Sequence, residues 1–222
     1  MSAATTNPIQ PNRIERTSGI LPLMTRARRQ WIAILICLAP AVGLAARFAL
    51  SGFGANPVDD ITHVTGEWGL RFLLISLAIT PARRFLGWAW AAPLRRTFGL
   101  ASFGYVCLHL ATWAYLDLGL DVAAIWADVL ERPYVTAGMG AFLLLALLAA
   151  TSTRGSIKRL GSRWIKLHQL VYPAAFFAIL HYFWLIKADY RPAIVHGAIL
   201  AGLFFARGVW HHRNRRRPAR PA

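Results

Sequence analysis

The sequence predicts an all-α integral membrane protein, a six-helix transmembrane bundle with both termini in the cytoplasm. Three observations carry this expectation. The 222-residue chain is 56% hydrophobic and only 15% charged, against about 25% charged in soluble domains, and its mean hydropathy is +0.43. Its apolar residues gather into six runs. Its charges segregate between the connections on the two sides of those runs.

Taken in order, residues 1–30 are rich in Ser, Thr, Pro, Asn and Arg and have no apolar core before Trp31. They read as a disordered cytoplasmic lead-in and not as a signal peptide. A helix crossing the hydrocarbon needs about 20 mostly apolar residues at about 1.5 Å each. The runs that meet this are expected at 31–50, 68–86, 97–116, 133–153, 167–186 and 192–210. Arg47, Arg71, Arg83, Arg84 and Arg207 interrupt three of them, and arginines near helix ends reach the headgroups. The connection 119–132 contains LDVAAIWADVL, expected as a short amphipathic helix on the outer surface. Residues 211–222 form a basic cytoplasmic tail, and 31–210 read as one transmembrane domain without an evident internal repeat.

The charges agree with this topology. Arg83, Arg84, Arg95 and Arg96 fill one connection, and Arg154, Lys158, Arg159, Arg163 and Lys166 fill another on the same side. Asp59, Asp60, Glu67, Asp117, Asp121, Asp128, Glu131 and Asp189 lie opposite, and only Glu15 breaks the pattern. The positive-inside rule puts the basic side, with both termini, in the cytoplasm. The net charge of +16 is thereby explained by topology and attraction to the lipid bilayer, and nucleic acid is not an expected partner. Cys37 and Cys107 sit in separate apolar runs and read as small buried hydrophobes.

Chemistry has few places to be. There is no nucleotide loop, no HExxH, no GxSxG, and no carboxylate inside the spans as drawn. The spans do contain His109, His168 and His181. His109 lies roughly 18 Å, and His181 roughly 21 Å, above the basic-side boundary of helices running the same way. Two neutral imidazoles at matched depth on different helices can clamp a flat macrocycle through both axial positions of its iron, so a di-histidine b-type haem is the natural reading. Arg47, Arg71, Arg132, Lys187 and Arg191 are the bases at hand to pair with its propionates.

His168 precedes His181 by about 20 Å along the axis and about 140° around it on an ideal helix. It is a candidate ligand of a second haem, or an interfacial hydrogen-bonding residue, or part of a quinone or flavin site. Pro173 between the two is a candidate kink. His63, expected just outside the second helix, is a candidate quinone or docking residue, and Arg83, Arg84, Arg95 and Arg96 are candidates for a flavin phosphate. Two other classes remain open. One is a haem-free scaffold or small-molecule carrier. The other is a stand-alone haem-dependent metal reductase, against which the missing dinucleotide fingerprint argues.

Four segments carry a resemblance: NPVDDITHVTGEWGLRFLLISLAITPARR, LRRTFGLASFGYVCLHL, ERPYVTAGMGAF and TSTRGSIKRLGSRWIKLHQLVYPAAFFAILHYFWLIK. Over residues 56–187 the chain resembles the MsrQ (YedZ) family of haem-binding membrane subunits, within the ferric-reductase-like transmembrane group. The resemblance implies a bacterial inner-membrane protein that takes electrons from the quinone pool. It would pass them through haem b to a periplasmic molybdopterin methionine sulfoxide reductase, MsrP, as an electron-transfer subunit and not the catalytic one. It also implies FMN, makes His109 and His181 the outer haem ligands, and makes His168 a further haem-linked histidine. Arg96 stands where a fourth histidine would fall.

Overall fold

The computed structural model describes residues 24–51 and 56–215; the lead-in before residue 24 and the tail beyond residue 215 lie outside them. Among the described residues the chain is helical, without a strand. The helices are α1 (Arg26–Ser51), α2 (Pro57–Phe85), α3 (Leu94–Ala111), α4 (Val122–Glu131), α5 (Pro133–Ala150), α6 (Arg154–Leu160), α7 (Ser162–Leu167), α8 (Val171–Leu185) and α9 (Arg191–Arg215). Three segments, Arg26–Leu50, Pro133–Ala150 and Arg191–Arg213, are by themselves long and apolar enough to cross a membrane. A fourth arises if Leu94–Asp117 and Val122–Glu131, which meet at 117°, count as one. Glu67 and Arg71 interrupt α2, and α8 has only 15 residues.

Several boundaries differ from the sequence expectation for physical reasons. Helix α1 begins at Arg26 and α9 runs to Arg215, so parts of the expected lead-in and tail are helical. Helix α2 begins at Pro57, not at 68, because the Asn56 side chain accepts from the Asp59 amide, Pro57 occupies the first turn, and Asp59 and Asp60 complement the helix dipole. His63 and Glu67 therefore lie inside a helix, and the bundle does contain a carboxylate. The break between His168 and His181 is not at Pro173. It is a 3₁₀ turn at His168–Leu170, and Pro173 falls in the first turn of α8, where no helical N–H is needed.

Two helix pairs, α2 with α3 and α5 with α8, make the closest packing. Between them Leu70, Leu73, Leu74 and Leu77 of α2 meet Leu145, Leu148, Val171, Ala174, Ala175 and Leu200. The least apolar of the expected spans is thus the central one, with Phe72, Leu73 and Leu77 almost fully buried. In a bilayer the lipid-facing helices must be apolar, whereas a central helix can keep polar side chains that find partners in protein.

Two polar side chains mend helices that proline opens. Pro81 leaves the Leu77 carbonyl without its usual N–H donor, and Arg207 Nη2 donates to it at 3.0 Å. Near Pro40, the Tyr105 hydroxyl donates to the Cys37 carbonyl and accepts from the Ala41 amide, both at 2.9 Å. Tyr105 is therefore a fastener for α1. Cys37 is buried and both cysteines are free thiols. The expected amphipathic helix is α4, with Val122, Trp126 and Leu130 exposed.

Candidate functional site

His109 near the end of α3 and His181 on α8 face one another, with ring centroids 6.0 Å apart and planes at 82°. The matched depth expected from helix rise brings them together. How they are held was not visible in the sequence. Nδ1 of His109 lies 2.9 Å from the Thr62 carbonyl, and Nδ1 of His181 lies 2.6 Å from the Tyr134 carbonyl. A carbonyl only accepts, so each Nδ1 carries the proton, and in the neutral ring each Nε2 keeps its lone pair. Both bonds span 47 residues, so α2–α3 and α5–α8 repeat one device. This repeat of geometry exists although no repeat is evident in the sequence.

Each carbonyl is reachable because the residue one turn later is glycine. A Cβ on Gly66 would meet His109 Nδ1 at 3.0 Å, and a Cβ on Gly138 would meet His181 Nδ1 at 2.7 Å. Gly69 serves the same helix pair, where a Cβ would meet Val106 at 3.0 Å and Ser102 donates to the Gly69 carbonyl at 2.8 Å. The close approach is thus made by glycines on α2 and α5.

The histidines line a cavity of about 280 Å³ with Gly66, Glu67, Trp113, Gly138 and Tyr182. Glu67 is held by Arg71 and, at 3.2 Å, by the Tyr182 hydroxyl. Trp113 Nε1 lies 3.4 Å from Asp128. His63 lines the cavity and pairs with Asp59 at 3.3 Å. Of the five candidate propionate partners only Arg132 lines it, and Arg132 already pairs with Asp128 at 3.1 Å. The Tyr134 hydroxyl and, to a smaller extent, that pair raise the Arg132 pKa above its ordinary value. Arg47 pairs with Asp60 at 2.7 Å and Arg71 with Glu67. Lys187 and Arg191 are exposed away from the cavity.

The third histidine lies at the basic end. His168 Nε2 is 3.2 Å from the Thr151 hydroxyl, and its ring stacks on Trp164 at 3.9 Å. Trp164 Nε1 donates to the Thr151 carbonyl at 2.9 Å. His168 borders a second cavity, of about 680 Å³, together with Arg84, Arg95 and Arg96 but not Arg83. Arg207, unmarked in the sequence beyond its place at a span end, lines it too. His196 packs edge-on against Tyr182.

Among the described residues no group of three or more His, Cys, Asp or Glu is placed to hold a bare metal ion. Two neutral imidazoles offering Nε2 from different helices instead fit a metal already held in the plane of a macrocycle.

A family model described as the ferric reductase like transmembrane component matches residues 65–179. It covers α3 and α5, most of α2 and α8, and His109 and His168, and it ends two residues before His181. The chain is 48% identical over 202 residues, 90% of its length, to the protein-methionine-sulfoxide reductase heme-binding subunit MsrQ of Rhodospirillum rubrum, of which 97% is covered. The chain belongs to the MsrQ family. The MsrQ of Caulobacter vibrioides is 46% identical over 82% of this chain and 86% of its own. The MsrQ of Ralstonia nicotianae is 40% identical over 91% and 94%. At 90% and 91% of this chain, the Rhodospirillum and Ralstonia similarities are long enough to take in α1 and part of α9 beyond the segment the family model matches.

Proposed function

We propose that the chain is the b-type cytochrome subunit of a methionine sulfoxide reductase system, with haem held between His109 and His181. It spans the bacterial inner membrane six times, by α1, α2, α3, α5, α8 and α9, with both termini in the cytoplasm. The reading draws on the charge segregation for topology and on the MsrQ relatives, named as heme-binding subunits, for the cofactor. The observation that carries it is the pair of imidazoles whose protons are committed to Thr62 and Tyr134. Carbonyl bonds at Nδ1 fix ring orientation and raise the basicity of Nε2.

When bound, the haem would supply a one-electron carrier in the outer half of the bilayer. The chain's own residues do the rest. His109 and His181 would hold the haem between them through Nε2, their Nδ1 protons staying on the Thr62 and Tyr134 carbonyls. Phe142, Leu145 and Ala178 keep the cavity apolar. Electrons enter from membrane quinol and leave to a periplasmic molybdopterin partner, MsrP, which carries out the methionine sulfoxide chemistry. Asp59, Asp60, Asp121 and Asp128 provide the docking face, and His63, at the cavity mouth, contacts quinol or partner. A hydrocarbon core of about 30 Å is too thick for one hop from a donor at the inner face. An inner cofactor beside His168, a second haem or FMN, would bridge it.

A pyridine haemochrome assay with redox spectra on detergent-purified protein tests this. The wild type is expected to show a b-type spectrum, lost in His109→Ala and in His181→Ala. A folded, colourless wild type from haem-replete cells would leave the scaffold or carrier reading instead. Reconstitution with quinol and MsrP tests the direction of electron flow, since a stand-alone metal reductase would not reduce the partner.

A further inference from the structure

The 680 Å³ cavity at the basic end, bordered by His168, has a marked charge imbalance. Arg84 of α2, Arg95 and Arg96 of α3, and Arg207 of α9 line it, and no Asp or Glu does. All ion pairs among the described residues sit at the other end, on Asp59, Asp60, Glu67 and Asp128. The partners these arginines do have are neutral. Arg84 lies 3.6 Å over the Trp210 ring and Arg207 4.6 Å over that of Tyr172. Arg207 gives one N–H to the Leu77 carbonyl, while its Nε is buried without any partner. Arg95 lies close enough to feel the charge of Arg84, and Arg207 that of both.

Like charges gathered in a partly desolvated space repel one another, and an orphaned buried N–H adds to the cost. We infer that this cavity is a receptor site for a phosphate-headed ligand, its phosphate seated among Arg84, Arg95 and Arg207. Guanidiniums arriving from three helices suit a tetrahedral dianion, which accepts hydrogen bonds from several directions; a single carboxylate is satisfied by one bidentate arginine. The remaining walls, Leu73, Leu145, Leu148 and Phe204, call for an apolar or aromatic body behind the phosphate. An anionic lipid of the inner leaflet and a flavin mononucleotide both have that form. For the flavin source the inference rests on the flavin-phosphate reading and refines it, replacing Arg83 by Arg207. The lipid source stands without that reading.

The test uses the full chain in detergent, titrated with FMN, with inorganic phosphate, and with vesicles of phosphatidylcholine with or without phosphatidic acid. Binding and the thermal midpoint are read for wild type, Arg207→Gln, Arg207→Lys, Arg95→Gln and the exposed basic-side control Arg154→Gln. FMN or phosphatidic acid is expected to bind wild type and Arg154→Gln alike, and at least tenfold more weakly to Arg207→Gln and Arg95→Gln. Arg207→Lys should fall between. Should loss of the Leu77 bond unfold Arg207→Gln, Arg95→Gln reads the site, since the Arg95 side chain makes no hydrogen bond among the described residues. Arginine-dependent binding of phosphatidic acid alone supports the site and removes the flavin. FMN binding that ignores Arg95 and Arg207 overturns the inference and spares the flavin reading. Binding of none of the probes, with Arg95→Gln melting at or above wild type, also overturns it.

Discussion

His181 in α8 and His168 in the turn that leads into it lie on the same stretch of chain, yet their surroundings have opposite character. Around His181 the protein is internally complete. The imidazole proton goes to Tyr134, the carboxylate of Glu67 is held by Arg71 and Tyr182, and Arg132 is matched by Asp128. Around His168 the polar groups outnumber their partners. One hydroxyl meets the ring, four arginines border the cavity, and no carboxylate answers them. A site whose polar groups are all paired is pre-organised for its ligand. A site with unanswered cations has its pairing completed from outside. The same pair of packed helices thus ends in a finished clamp on one side and an open receptor on the other.

The largest expected effect is the asymmetry between histidines. His109→Ala and His181→Ala should each remove the outer-site haem signal at least tenfold. The double variant should do no worse than either single, because a two-sided clamp fails when one side goes. His168→Ala should leave that signal in place and change only signals from the basic end. Equal losses in all three, read by redox-resolved absorbance spectra, would break the comparison.

Next in size are the glycines that admit the imidazoles. Gly138→Ala puts a Cβ 2.7 Å from His181 Nδ1, and Gly66→Ala puts one 3.0 Å from His109 Nδ1. In both cases the ring must leave its carbonyl, and loss of such a partner typically costs about 10–100-fold in metal affinity. Gly138→Ala is expected near the upper figure and Gly66→Ala near the lower, measured as haem retention after gel filtration. Gly104→Ala is the control, because nothing lies within 4 Å of its added Cβ.

These glycines also mark where sequence reading stops. The equal depth of His109 and His181 was legible because helix rise is constant, and the charge segregation and α4 were legible because composition records them. The start of α2 was legible too, in Asn56, Pro57, Asp59 and Asp60, but hydropathy alone placed it at 68 and hid Glu67 within the bundle. The receivers were not legible. A side chain reaching a carbonyl on another helix depends on rotation about the helix axis, which periodicity fixes only loosely for a chain apolar on most faces. Arg207 shows the same limit. As a residue near a span end it reads as a snorkelling cation, and only the fold turns it toward Leu77 and Arg95.

A smaller effect is expected from Tyr182→Phe. The variant removes one hydrogen bond from Glu67 but leaves Arg71 in place, so the carboxylate stays paired. Haem affinity should fall by no more than about tenfold, consistent with the roughly 0.5–1.5 kcal/mol net worth of one hydrogen bond. Loss of the haem would mean that the acidic end is less complete in itself than its pairings imply.

The smallest effect is expected at the basic end, from Thr151→Val. The hydroxyl donates to the Leu147 carbonyl at 2.8 Å, so its proton is committed and its oxygen can accept from His168 Nε2. The substitution deletes that acceptor while keeping the side chain's shape. His168 remains stacked on Trp164, and Trp164 remains tied to the Thr151 carbonyl, so the ring stays near its place with one nitrogen freed. Stability should fall by about 1 kcal/mol, seen as a small drop in thermal midpoint, and the spectrum assigned to His109 and His181 should not move. If it does move, the two ends are coupled through α5 and α8, and the finished clamp depends on the open site after all.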